Sequence, residues 1–253
     1  MTAIVTKTAL VTGASRGIGR AVARQLSEAG FRIALHYHHN RSAAEEALAA
    51  LSGDGHLLFP ADLSQVDSAK QLAAGVLEKF AGRVDVFIHN AGLYLATPVS
   101  GSSTFSEWQA GLRQQMQLNF LAGADLSYLL ARPMMEKGWG RIIHVASRSG
   151  LRGEAEFSGY GASKAAQINF IKSLAIELAP SGIGCFAIAP GWVETDMSAE
   201  ALRAQGDAIR STIPMGRVAT PEDIAQLIGY LVTPAADYLT GNTIDVNGAS
   251  YLR

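Results

Sequence analysis

Short aliphatic runs alternate along this chain with longer Ala-, Leu- and Glu-rich segments, and that alternation limits the possible folds more than any single motif does. The runs are 8–12 ("TALVT"), 32–37 ("RIALHY"), 56–60, 84–89, 141–146, 183–189 and 243–246. Between them, the spacing predicts helices near 17–29, 42–51, 65–81, 107–137, 158–179 and 221–232. Strands separated by helices pair in parallel through right-handed crossovers. The expected fold is therefore α/β: one doubly wound, Rossmann-type domain over 1–253, its seven-stranded parallel sheet covered by helices on both faces. The runs are apolar throughout, as burial between two helical layers demands. Two stretches break the pattern. "TPVSGSSTFS" (97–106) reads as a long surface loop and 192–213 as a second irregular region.

Composition narrows the partners. A chain of 253 residues, 48% hydrophobic, can bury a large core, and a formal net charge of −1 offers no electrostatic footprint for nucleic acid or an anionic membrane. The single cysteine, Cys185, lies in the apolar run "IGCFAIA" and reads as a core thiol in a reducing compartment. The N-terminal stretch lacks a cationic segment followed by a long apolar one, and no 18 apolar residues run together. A soluble, cytoplasmic protein is the expectation.

The first strand runs into "TGASRGIGRAV". Gly13, Gly17 and Gly19 would let the backbone turn tightly, approach a pyrophosphate and seat a helix whose N-terminal amides face the anion. The spacing is G-x-x-x-G-x-G rather than G-x-G-x-x-G, so standing alone the stretch is equally a ligand-free βα turn. A nucleotide-hydrolase phosphate loop would need Lys-Ser/Thr after the last glycine, where Arg20-Ala21 stands. "GASRG" also matches G-x-S-x-G, which makes Ser15 a possible hydrolase nucleophile, although little chain precedes it to build an oxyanion hole. Further on, "SGYGASKAA" (158–166) sets Tyr160 and Lys164 on one helix face, either an ordinary exposed pair or half of an active site. His36 and His38 fall on one side of a strand with no nearby carboxylate or cysteine to complete a ligand set, and no metal is expected there. They read as lining of a nucleotide pocket.

"TGASRGIG", "HNAG" (89–92), "GRIIHVAS" (140–147), "YGASK" (160–164) and "PGWVETDM" (190–197), in this order, resemble the short-chain dehydrogenase/reductase family over essentially the whole chain. Their wording is nearest to the 3-oxoacyl-(acyl-carrier-protein) reductases. The resemblance implies a catalytic tetrad of Asn119, Ser147, Tyr160 and Lys164. Tyr160 would give a proton to the carbonyl oxygen, its phenol made more acidic by Lys164. Ser147 would polarise the carbonyl, and Asn119 would hold a water leading to Lys164, unless it merely satisfies backbone groups. It also implies a cofactor site. Thr12, Gly13, Ser15, Gly17, Ile18 and Gly19 match the phosphate turn, Asp62 and Leu63 the adenine contact, Asn90, Ala91 and Gly92 the ribose-side turn, and Pro190, Gly191, Val193 and Thr195 the nicotinamide loop. Tyr160 and Lys164 belong to both sets.

An NADH enzyme usually ends its second strand with an acid; here the corner reads "HYHHNR". Arg16 and Arg41 would clamp a 2′-phosphate with help from His38 or His39, which predicts NADP(H). The resemblance implies reduction of a small-molecule ketone, an acyl thioester first and another alcohol, sugar or polyketide ketone second. Gly138 and Ser181 stand where that branch carries basic residues, which argues against carrier-protein docking. His89 replaces the asparagine that often opens "NNAG". Tyr94, Arg148, Leu151, Arg152 and Trp192 are candidate pocket residues, with Arg148 or Arg152 either meeting an anionic substrate or remaining solvated surface charges. Helices 107–137 and 158–179, with the small residues Ala122, Gly123, Ala165 and Ala166, would let a second subunit pack closely, and the resemblance implies pairing through them into a homotetramer, with a dimer as the alternative.

Overall fold

The computed structural model describes residues 6–101 and 103–253; positions 1–5, which open the expected domain, and 102, inside the expected 97–106 loop, lie outside the described residues. The strands are β1 (Thr8–Val11), β2 (Arg32–Tyr37), β3 (Leu57–Pro60), β4 (Val86–His89), β5 (Gly140–Val145), β6 (Ile183–Pro190) and β7 (Thr243–Val246). They form one sheet in the order β3-β2-β1-β4-β5-β6-β7, every adjacent pair parallel. The helices are α1 (Gly17–Glu28), α2 (Arg41–Ala49), α3 (Ser68–Lys79), α4 (Phe105–Gln115), α5 (Ala122–Lys137), α6 (Ser158–Leu178), α7 (Ala199–Ser211) and α8 (Pro221–Leu231). This is the expected doubly wound architecture.

Side chains alternate across a strand, and the two resulting sets meet different helices. Val11, Leu35, Ile88, Val145 and Ile188 join Val22 and Leu26 of α1, Ala44 of α2 and Ile224 and Ile228 of α8 in one core. Their neighbours Leu10, Ala34, Phe87, Ile142 and Cys185 pack on Leu72 of α3, Leu126 of α5 and Ile168 and Ile171 of α6 in the other. The two edge strands are the exceptions to burial on both faces: β7 is only partly buried beyond Thr243, and in β3 Leu57 and Pro60 are exposed, an edge tolerating a proline.

Two expectations need correction. The single helix expected over 107–137 is α4, a π-helical segment over Met116–Leu121, and α5, which ends at Gly138 in the left-handed conformation. The region 192–213, expected to be irregular, contains α7. Only Gly206 and Ile209 of that helix are buried and it kinks at Gln205 (φ −138°), so its apolar periodicity is too thin to read. Ile209 joins Ile213, Val218 and Trp192 in a small cluster apart from both main cores. The described residues of the 97–106 region are non-helical up to Thr104, whose side chain and Glu107 cap α4 reciprocally.

The chain runs from β1 outward to β3 and then returns to place β4 beside β1 on the opposite side. The connections leaving the carboxyl ends of β1 and β4 therefore diverge, and a crevice opens between them.

Candidate active site

The crevice is a cleft of about 690 Å³. Its floor begins with the turn after β1. Gly13 and Gly17 hold φ of +64° and +52°, which favours glycine, and a Cβ on Gly19 would lie 2.3 Å from the Gly13 carbonyl oxygen. α1 starts at this turn without a side-chain cap, unlike α4 and α8, so its first amides are left facing the cleft. The turn after β4 is bonded to it: Asn90 Nδ2 donates to the Thr12 and Gly13 carbonyls (3.0 and 3.1 Å), and Thr12 Oγ1 accepts from the amides of Asn90 and Ala91 (2.9 and 3.1 Å). Beneath both lies His36, whose Nδ1 accepts from the Gly13 amide (3.1 Å), leaving Nε2 to donate to the Ala61 carbonyl (3.1 Å). Burial pushes His36 down to about 4, against the opposing effect of the Ala61 bond, so the ring is neutral. A glycine cradle that admits no Cβ, free helix amides and a cleft of this size fit a dinucleotide.

Of the residues expected to bind cofactor, Gly13, Ser15, Arg16, Gly17, Ile18, His38, His39, Asp62, Leu63, Asn90, Ala91, Gly92, Pro190, Gly191, Val193 and Thr195 line this one cleft. Thr12 and Gly19 lie beneath it and shape the turn. Arg41 does not reach it: its guanidinium is turned to Glu45 on its own helix, Nε to Oε1 2.8 Å, and is 75% exposed. The carboxylate of Glu45, one helical turn on, is the partner within its reach. Arg16 reaches across to Asp196 (3.2 Å). His36 and His38 both line the cleft, as expected for a nucleotide pocket: His36 beneath the glycine turn, and His38 past the end of β2 near Asp62. Ser15 makes no side-chain bond to an imidazole among the described residues, and both nitrogens of His36 are bonded to backbone, which leaves the hydrolase reading without a base.

The tetrad candidates meet at the far end. Ser147, two residues past β5, and Tyr160 and Lys164, one turn apart on α6, line the cleft. Asn119 lies behind them in the π-helical segment, and Gly92 leaves the space between: a Cβ there would stand 3.4 Å from Asn119 Oδ1 and 3.6 Å from Lys164 Nζ. Asn119 Oδ1 accepts from the Leu93 amide (2.7 Å), while Nδ2 donates to the Leu93 carbonyl (3.0 Å) and Ser163 Oγ (2.9 Å). Its side chain thus ties the Leu93 backbone to Ser163 of α6. The Asn119 carbonyl accepts from His89 Nε2 (3.0 Å), a ring seated on Gly123 so closely that a Cβ there would come within 2.4 Å of it.

Electrostatics depart from expectation. Lys164 donates to the Val145 carbonyl (2.9 Å) and stands 5.7 Å from the Tyr160 ring centre, and burial lowers it to about 7. Burial raises Tyr160 above the ordinary phenol value, while a hydrogen bond with Ser147 pulls the other way. Desolvation is the largest influence on Tyr160, and the Lys164 amine, aimed at the Val145 carbonyl, is not among the groups that shift it here.

At the substrate end, Tyr94, Arg148 and Trp192 line the cleft as expected, whereas Leu151 and Arg152 do not. Tyr94 stacks on Phe157 (4.1 Å between centres) and meets Tyr160 edge-on (4.8 Å). Glu154, Gln114, Leu118 and Met197 also line it. Met197 closes the 190–197 motif; nothing in the sequence surroundings of the other three marks them, and the packing of α4, the π-helical segment and the loop before α6 brings them there.

A family model described as enoyl-(acyl carrier protein) reductase matches residues 13–249. The chain is 37% identical over 251 residues to a 3-oxoacyl-[acyl-carrier-protein] reductase of Synechocystis, covering 98% of each. It is 36% identical over 250 residues to 3-oxoacyl-[acyl-carrier-protein] reductase FabG of Escherichia coli, covering 97% of this chain and 98% of that one. Among solved structures, a provisionally assigned NAD(P)-dependent gluconate 5-dehydrogenase from Beutenbergia cavernae, holding NADP at low occupancy, superposes with a TM-score of 0.87 at 33% identity, covering 98% of this chain and 97% of that one.

Proposed function

This chain belongs to the short-chain dehydrogenase/reductase family, and from that premise we propose that it is an NADPH-dependent carbonyl reductase. The observation that carries the reading is the convergence of Ser147, Tyr160 and Lys164 on the cleft whose other end is the glycine cradle. Bound NADPH supplies the hydride to the carbonyl carbon. Tyr160 gives its phenolic proton to the carbonyl oxygen and Ser147 donates a hydrogen bond to it, so that charge never accumulates on the alkoxide. Lys164, with a pKa near neutrality, takes up and passes on the proton that restores the phenol. Asn119 fixes the Leu93 backbone behind them.

Preference for NADPH is supported by the lack of an acid at the end of β2 and by Arg16, His38 and His39 around the cleft there. The solved relative's NADP is consistent with it. Arg41 enters this role only by leaving Glu45. For the substrate, the curated relatives support a 3-oxoacyl thioester. A second reading, a free ketone of the sugar or small-alcohol class, is favoured by Gly138 and Ser181 at the two positions where docking to a carrier would call for basic residues, and the gluconate enzyme lends it support. Exposed Tyr128 on α5 and Ile176 on α6 fit pairing of those helices in a homotetramer.

The test is NADPH oxidation against a panel of 3-oxoacyl thioesters, small ketones and sugars. At least one class should turn over with NADPH well above NADH. Binding of NADPH with no turnover across the panel would leave a cofactor-binding protein and overturn the reductase assignment.

A further inference from the structure

Arg148 follows Ser147 directly, and its side chain is only 7% exposed although it lines the cleft. A buried guanidinium needs a countercharge and acceptors for its N–H groups. It has little of either. Nη1 donates to Ser250 Oγ (2.5 Å); Nε and Nη2 make no hydrogen bond among the described residues, and neither is fully sealed from solvent. The facing carboxylate, Glu154, stands 3.8 Å from Nε, beyond hydrogen-bond reach, and the same oxygen is shared with Arg152 Nη2 at 3.6 Å. Glu154, which also lines the cleft, is drawn on by Arg152 from outside it, so Arg148 is left with a shared countercharge, and with no hydrogen bond to it, in the wall of the cavity that holds Ser147 and Tyr160. Tyr94, the other neighbour, is uncharged at neutral pH, burial pushing it up to about 12. Burial removes the solvated-surface reading of Arg148 that the sequence left open.

We infer that Arg148 determines specificity at the substrate end of the cleft by seating a carboxylate, so that the substrate is an oxo acid with a free carboxylate group. This rests on the reductase reading and takes up its second substrate class. A thioester presents a neutral oxygen there and leaves the guanidinium charge unmet; a carboxylate supplies both the charge and the acceptors, in the forked geometry that arginine matches. The reaction balances without the acid group changing: the ketone carbon gains hydride from NADPH, its oxygen gains the Tyr160 proton, and a hydroxy acid leaves.

The experiment pairs oxo acids with their methyl esters on the NADPH-loaded enzyme. The acid should be preferred in kcat/KM by about tenfold or more, and Arg148→Gln should lower that acid-to-ester ratio by about 10- to 100-fold, mainly through KM, with Arg148→Lys recovering part of it. Without turnover, calorimetric titration of the hydroxy acid into the NADPH-loaded enzyme should show binding that Arg148→Gln loses. If that variant fails to fold, the wild-type ratio and titration decide. Esters reduced as well as acids, with no binding of hydroxy acid, would overturn the inference while the reductase reading stands. No reduction of either class, or of any panel compound, by enzyme that binds NADPH would remove the reading beneath it as well.

Discussion

Lowering the pH from about 7.5 to about 5 should cost the folded protein about 4 kcal/mol through two buried imidazoles alone. Burial holds His36 at about 4 and His89 at about 3, where an unfolded chain would titrate at 6.5. Both folded values are depressed, so between them and 6.5 the unfolded chain binds more protons, and stability falls as pH falls through that window. At about pH 5 the gap from 6.5 is about 1.5 pH units, and at about 1.4 kcal/mol per unit each ring contributes about 2 kcal/mol. His144, also buried and held well below 6.5, acts in the same direction. Lys164 does too, but its change is largely complete near its folded value of about 7, and Asp223, held at about 2, changes only in stronger acid. A loss of this size is a large part of the roughly 5–15 kcal/mol available to a domain. Urea unfolding curves at stepped pH measure it. In His89→Asn the loss between the same two pH values should shrink by about 2 kcal/mol, whatever the variant does to stability at neutral pH. A wild-type profile flat to within about 1 kcal/mol over that range would refute the burial argument.

Tyr160→Phe should bind NADPH normally and lose at least about two orders of magnitude in turnover, read by cofactor fluorescence and steady-state rates; ordinary rates would remove the phenol from the chemistry. Arg16→Ala should narrow the NADPH-over-NADH preference by about tenfold, whereas Arg41→Ala, already turned to Glu45, should leave it within about twofold, both by titration. Gly19→Ala, with its Cβ 2.3 Å from a carbonyl oxygen, should abolish measurable cofactor binding or unfold the turn, which thermal melts distinguish. Cys185, pushed up to about 12 by burial, should react with thiol reagents only when the protein is unfolded.

How far the sequence reaches depends on whether a residue's neighbours are near it in the chain. β2 begins and ends where its aliphatic run does, because a strand buried on both faces writes its limits as a run of apolar residues. The glycine cradle and the Tyr160–Lys164 pair are likewise local, and both stand where their spacing put them. α7 escaped because it buries only Gly206 and Ile209, too few to write a helical period. Arg41 and Arg148 illustrate the harder case. Two arginines in similar polar surroundings end one in solvent and one in a cavity wall, and what separates them is Ser250, about a hundred residues away in the chain from Arg148. The support that His36 gives the glycine turn likewise depends on a residue more than one element away in the chain.

The π-helical segment before α5 has one more consequence. Each residue in an α-helix turns the face by about 100°, and a π-turn holds roughly one residue in excess, so α4 and α5 are out of phase across it. Removing a single residue from 116–121 would let the ladder close into plain α-helix and rotate α4 by about that angle. Gln115, whose Oε1 accepts from the Leu95 amide and whose Nε2 donates to the Gly111 carbonyl, would swing away from the rim it fastens. In this stretch a one-codon deletion is a larger lesion than most substitutions, since it shifts the frame of a whole wall while leaving every remaining side chain intact.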